Sequence, residues 1–152
     1  MPLDRMTSVG ALRSWTDQIP FHYEYTAGVA GERFLRGLKE GRILASVCGE
    51  CGKKYVPPKM YCTDCFAEVK RYVEVGPRAT VAALAESHFD FEGKRRARPT
   101  TFAFITFKGA TGGLVHYAAG EGLEIGSAVE ARFRPGKARK GSLLDIERFV
   151  TG

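Results

Sequence analysis

The sequence predicts a mainly β protein in three parts: an N-terminal helical arm, a metal-stapled ribbon and a C-terminal barrel of five strands. Three observations carry this reading. All four cysteines lie between Cys48 and Cys65, in two tight pairs. Glycine is abundant, at 18 residues, which favours many turns over long helices. After Gly76-Pro77 the chain breaks into short runs with strand character, separated by turn-forming residues. The parts are expected to span residues 1–44, 45–75 and 76–152.

Composition bounds the rest. A chain of 152 residues suffices for one ordinary domain, or for a small core plus a stapled module. No apolar run approaches the roughly 20 residues that a membrane span needs. The start, "MPLDRMTSVG", has neither the basic residues nor the apolar stretch of a secretory signal, so a cytoplasmic location is expected. The net charge of +6 is unevenly spread. "KRRAR" (Lys94, Arg95, Arg96, Arg98) and the run from Arg132 to Lys140 hold nine of the twelve basic residues after Tyr72. Two cationic loops suit phosphate or carboxylate groups; the alternative is solvated loops that keep the protein soluble.

The arm comes first. Trp15, Phe21, Tyr23 and Tyr25 lie around "DQIPFHYEYTAG", where Pro20 blocks a continuous helix. Such aromatics either present a partner-binding surface or cover the protein's own core. "AGERFLRGLKEG" then places Phe34, Leu35 and Leu38 on one helical face, with Glu32 early, Lys39 late and Gly41 in the stop position. "RILASV" leads into the ribbon as a strand.

The cysteines, Cys48, Cys51, Cys62 and Cys65, follow the pattern C-x2-C, ten residues, C-x2-C. Structural disulfides are rare in a reducing cytoplasm, and a redox C-x2-C gains nothing from a second copy. Zn2+ prefers four ligands in a tetrahedron, and two C-x2-C turns joined by a short hairpin can supply them. Gly49 and Gly52 lie inside and just after the first turn, where backbone without a Cβ can wrap toward sulfur. "KKYVPPKMY" reads as a short strand broken at Pro57-Pro58. The module is a zinc ribbon with one structural ion; iron is the lesser metal and two disulfides the alternative. A closed thiolate shell leaves no cysteine as a nucleophile.

"AEVKRYVEVG" should leave the ribbon as a strand. Five candidates follow: "ATVAALAESHFDF", "TTFAFITF", "GLVHYAA", "AVEARFR" and "SLLDIERFV". In the second, Phe102 and Phe104 alternate with smaller residues in the pattern of a core face; in the fourth, Val129, Ala131 and Phe133 oppose Glu130, Arg132 and Arg134. Five short strands are the complement of an OB-fold barrel.

An arm, a ribbon with "CGECG" and "VPPKMYCTDC", the "VEVGPRATV" lead into a barrel, and the "GLEIGSAVEARF" turn and strand together resemble the DUF35 family, from about Phe34 onward. The resemblance implies a rubredoxin-like zinc ribbon, an OB fold, and a non-catalytic subunit accompanying a thiolase-fold enzyme, as in thiolase-type complexes such as benzoylsuccinyl-CoA thiolase. It implies a CoA thioester shared with that partner, in a hetero-oligomer. Lys94, Arg95, Arg96 and Arg98 would meet CoA phosphates, with Phe89 and Phe91 as an acyl-facing wall. Trp15, Phe21, Tyr23, Tyr25 and Phe34 would contribute to docking the partner.

Two other functions compete. OB barrels also bind single-stranded nucleic acid on aromatic platforms beside basic grooves. Phe102 and Phe104, read as core residues, argue against that. A free-standing thioesterase using His88 or His116 as base finds no serine nucleophile in an elbow motif.

Overall fold

The computed structural model describes residues 24–90 and 92–152. Trp15, Phe21, Tyr23 and Phe91 lie outside the described residues. Helix α1 spans Gly28–Glu40 and buries Ala30, Phe34, Gly37 and Leu38, the stripe that its apolar spacing predicts. It stops at Gly41, where the chain turns left-handed and the Gly41 N–H returns to the carbonyls of Gly37 and Leu38.

Strands β1 (Leu44–Val47), β2 (Lys54–Val56) and β3 (Arg71–Glu74) follow. β2 ends where Pro57 removes the next ladder donor. β1 pairs antiparallel with both neighbours, opposing Ser46 to Tyr55 and to Tyr72. The second half contains β4 (Arg78–Phe89), β5 (Arg95–Thr106), β6 (Thr111–Gly112), β7 (Leu114–Ala119), β8 (Ala128–Phe133) and β9 (Ile146–Thr151). Five of these close a barrel in the order β4-β5-β7-β9-β8, with β8 returning to β4 and a parallel pair between β7 and β9. This is the five-stranded barrel expected of an OB fold.

One core joins helix, ribbon sheet and barrel. Phe34 and Leu38 of α1, Ile43, Ala45 and Val56 of the ribbon side, and Val81, Ile105, Leu114 and Phe149 of the barrel belong to a single buried cluster. Full burial of each large side chain stabilises by roughly 1.5–3 kcal/mol. Phe34, expected on a partner-binding surface, is therefore a core residue, 4% exposed.

Several expectations need correction. In β5 the inward residues are Ala103 and Ile105, while Phe104 is 36% exposed and Phe102 is half-buried. Alternation distinguishes two faces of a strand without saying which is inside, and here Ala103 and Ile105 take the inner face of β5. "KGATG", read as a loop, supplies β6, which pairs parallel with β2 and extends the ribbon sheet. Part of "SLLDIERFV" is a 3-10 turn, Leu143–Asp145, capped by Ser142. β5 also begins earlier than expected, at Arg95 inside the basic run.

The seam between ribbon and barrel runs through Gly112, with φ of +86°, where a Cβ would lie 2.4 Å from the Val56 carbonyl oxygen. Gly122 has φ of +63° and nothing within 4 Å of such a Cβ. Gly112→Ala should therefore lower the unfolding free energy by roughly 2 kcal/mol or more, from strain plus a backbone clash. Gly122→Ala should cost only the conformational share, about 1 kcal/mol. Thermal midpoints of the two variants, with that of Gly112→Ala clearly lower, check the seam.

Candidate metal centre

Two tight turns build the centre, and they share one hydrogen-bond pattern. The Cys48 N–H donates to the Lys53 carbonyl at 2.8 Å, and the Cys62 N–H donates to the Ala67 carbonyl at 2.9 Å. Each bond folds a C-x2-C segment so that both sulfurs point to one side. At the same offset the first turn has Gly52 (φ +71°) and the second has Phe66 (φ +58°). β1 delivers Cys48 directly, while the Met60–Val69 segment delivers the second pair, held by the Val69 N–H on the Met60 carbonyl at 2.7 Å.

The four Sγ atoms lie within 4.8 Å of one another. Cys48 and Cys65 stand 3.5 Å apart, and Cys51 and Cys62 stand 3.6 Å apart. Four thiolates around Zn2+ at about 2.3 Å would be separated by about 3.8 Å along each tetrahedral edge. The donor set and its spacing fit the ion. The four thiols are free cysteines rather than two disulfides.

The thiols do not titrate alike. The Tyr55 hydroxyl and then the Cys65 backbone N–H bring the Cys62 thiol down to about 6, ready to ligate as thiolate. Cys65 also accepts a backbone N–H, from Ala67, but the neighbouring sulfurs of Cys48 and Cys62 outweigh it and hold its thiol up at about 12. Four like charges in this volume need a cation among them.

Tyr55 is a part of the centre that spacing does not announce. Its side chain is fully buried, with its hydroxyl 3.1 Å from Cys62 Sγ. It also accepts from the backbone N–H and the Oγ1–H of Thr63, at 3.3 and 3.2 Å. The Thr63 hydroxyl also reaches Asp64 Oδ1 at 3.1 Å, and toward a thiolate, which can only accept, the Tyr55 hydroxyl is the donor. The only prior signal is an apolar-looking tyrosine in a three-residue strand between the pairs. Nearby, the Lys59 ammonium lies 5.2 Å from the Tyr55 ring centroid, and the Lys59 N–H donates to Ser46 Oγ at 2.9 Å, pinning the hairpin to β1.

The other singled-out residues fall elsewhere. Phe89 is exposed at the far end of the long β4–β5 hairpin and opposes Arg95. Lys94, Arg95, Arg96 and Arg98 are all exposed there. Among the described residues none of the four is in an ion pair. An open cleft of about 820 Å³ lies along the barrel where the β5–β7 ladder ends, lined by Leu84, Pro99, Thr101, Tyr117, Arg134 and Arg148 among others. Its cations are therefore not the hairpin's. On the outer face, Phe102 opposes Tyr117 with rings 5.1 Å apart, and Phe104 opposes Val115. Tyr25 is exposed ahead of α1.

The second basic run is partly structural. Arg139 stacks over Phe133 at 5.4 Å and donates from Nε to the Arg134 carbonyl at 2.7 Å. Asp145 collects the N–H groups of Lys140, Gly141 and Ser142. Burial pushes its carboxyl up, but those three donors prevail and hold it below the usual range. His116 points into the barrel, with Nε2 3.0 Å from the Leu143 carbonyl, and burial lowers its pKa. His88 is exposed, 3.8 Å from Glu86.

A metal-stapled ribbon sharing its core with an OB barrel defines the class of protein. Residues 36–70 match the model of the ChsH2 rubredoxin-like zinc ribbon domain. A DUF35-family protein of unknown function from Sulfolobus solfataricus is 34% identical, with 86% of this chain and 90% of that chain covered and a TM-score of 0.69. The chain belongs to the DUF35 family. The structure named Ltp2-ChsH2(DUF35) aldolase is similar in fold, at 18% identity, with 78% of this chain and 91% of that chain covered and a TM-score of 0.59. No curated protein matches the chain in sequence. Among the described residues no helix is long and apolar enough to cross a membrane.

Replacing Tyr55 by Phe should leave the fold and the metal in place but weaken metal binding about tenfold, at the lower end of what removing a ligand's hydrogen-bond partner costs. Cys62→Ser should lose the metal and the ribbon's order together. Competition with a chromophoric chelator reads the first, and metal content with amide exchange across residues 44–75 reads the second.

Proposed function

We propose that this chain is a non-catalytic accessory subunit of a thiolase-fold acyl-CoA enzyme, carrying one structural zinc. The observation that carries this reading is membership of DUF35 together with the sulfur geometry. All four cysteines of the chain converge on one centre, so a thioester-forming cysteine would have to come from another subunit. The structure named Ltp2-ChsH2(DUF35) aldolase supports the pairing, since there a DUF35 protein is joined with a second component in an enzyme. Zinc would supply no chemistry to the reaction, because four thiolates close its shell. The chain's own contribution would be to position the partner and complete the CoA site.

The unpaired cations of the β4–β5 hairpin suit CoA phosphates, since an Arg fork binds phosphate oxygens bidentately. β5 continues from these residues to Phe102 and Phe104, which with Tyr117 offer a face on which adenine can stack. Phe89, half-exposed beside Arg95, is available as an acyl-facing wall. Purification from the native host should bring down a thiolase-fold subunit in stoichiometric amount. The complex with Arg95, Arg96 and Arg98 all changed to Ala should bind CoA at least tenfold more weakly by calorimetry. A chain that elutes alone, or an unchanged CoA affinity, would count against the respective half of the reading.

One observation favours a second reading. Phe102, Phe104 and Tyr117 face outward on the barrel surface that OB folds use for oligonucleotides, and β5 carries arginines as well. A single-strand binder would hold an unstructured 15-mer at physiological salt, with affinity falling steeply as salt rises and dropping several-fold on Phe104→Ala. An accessory subunit should show no such affinity at that salt.

A further inference from the structure

Phe66 is the one non-glycine residue with positive φ among the described residues, at +58°. The matching position of the first turn is Gly52, at +71°. The second turn thus places a bulky aromatic residue where the geometry favours glycine, and the left-handed region disfavours such a side chain. The ring recovers little within the chain, being 80% exposed. Local strain kept at an exposed side chain points to a use outside the fold.

The surroundings indicate what kind of use. The same hairpin exposes Met60 and Tyr61, and Met60 shares a shallow depression of about 160 Å³ with Val29 of α1. Some of the charges around these residues are paired, Lys53 with Asp64, Lys70 with Glu68 and Arg36 with Glu32, while Arg33, which lines the depression, and Lys59, next to Met60, have no ion-pair partner among the described residues. This surface exposes large apolar side chains within a partly paired rim, unlike the β4–β5 hairpin, whose four clustered cations have no ion-pair partner among the described residues. Its open cations are few and scattered, which suits an apolar protein surface better than a nucleic acid or an anionic membrane, both of which need clustered positive charge.

We propose that Phe66 is the anchor by which the ribbon docks into an apolar pocket of the catalytic subunit, with Met60 and Tyr61 of the same hairpin adding apolar contact. The inference rests on the accessory-subunit reading and adds the site. An aromatic side chain held out by a rigid, metal-fixed turn loses little conformational freedom on binding, which is the property of interface hot spots.

The test compares the wild-type chain, Phe66→Gly and Phe66→Ala, each as the full zinc-loaded protein, for binding to the thiolase-fold subunit recovered with the wild type. Phe66→Gly should retain one zinc and melt at the wild-type temperature or above, because glycine relieves the turn, while its affinity falls at least tenfold. Phe66→Ala should lose affinity equally. Wild-type affinity in both variants would overturn the anchor and leave the accessory reading standing. So would a melting temperature several degrees lower in Phe66→Gly, which would show that the ring serves the fold. A wild-type chain that binds no thiolase-fold subunit would sink the accessory reading, and the anchor with it. Sedimentation that shows a Phe66-dependent dimer of this chain would overturn the partner in favour of a second copy.

Discussion

Four sulfurs within one small tetrahedron are the constraint on which the front of this molecule depends. The ribbon's own buried cluster comprises Cys48, Tyr55, Cys62 and Val69, with Ala67 packed against it. Two of those residues are themselves metal ligands, so there is almost no core without the ion. A module of about 30 residues cannot offset its conformational entropy with so little apolar burial, and a metal supplies the difference. The ion also fixes direction. Because Cys48 follows β1 while Cys62 and Cys65 lie in the hairpin beyond β2, one metal sets the angle between the sheet and that hairpin.

The ribbon does not stand apart from the barrel. Val56, the last residue of β2, is fully buried in the same cluster as Ile105 and Leu114, and β6 adds a parallel edge to the ribbon sheet from the connection between β5 and β7. Helix α1 lies over this seam, contributing Phe34 and Leu38 to the shared core. A load applied at the metal turns is therefore transmitted to the barrel through packed side chains and a backbone ladder instead of a loose linker. Close approach of two backbones requires Gly112, and no larger residue could hold that register without displacing Val56.

Much of this was legible in the residues. The cysteine spacing identified the metal ligands because tetrahedral coordination demands a fixed number of donors at short range. The helix was readable from Phe34, Leu38 and Gly41, and the barrel from five separated strand runs. What remained hidden shares one physical cause, which is that local pattern does not specify tertiary orientation. Phe102 and Phe104 alternate correctly but face out, since the register of β5 turns Ala103 and Ile105 to the interior. Phe34 looked available for a partner until the shared core claimed it. β6 has only Thr111 and Gly112, too short for any periodicity, and exists because β2 needs an edge partner. Tyr55 acts through its hydroxyl, whose partner lies seven residues away across the hairpin.

The two ends of the molecule differ in electrostatic character, and the difference has a structural origin. At the ribbon, Lys53 and Lys70 find carboxylates across a short hairpin or close in sequence, and exposed apolar groups are the distinctive feature. At the β4–β5 hairpin Asp90 Oδ1 accepts the Glu92 and Lys94 backbone N–H groups and shapes the turn, and among the described residues the neighbouring arginine guanidiniums have no ion-pair partner. Charge is thus partly paired at one pole and, among the described residues, left open in a cluster at the other. A protein surface that must fit another folded protein gains from the first arrangement, because unpaired charges would have to be desolvated on docking. A surface that meets a mobile polyanion gains from the second, because open charge steers the ligand and binds it without prior rearrangement. With the shared core holding both poles in one body, the proposed accessory subunit would grip its partner with the ribbon while the barrel offers charge to the ligand.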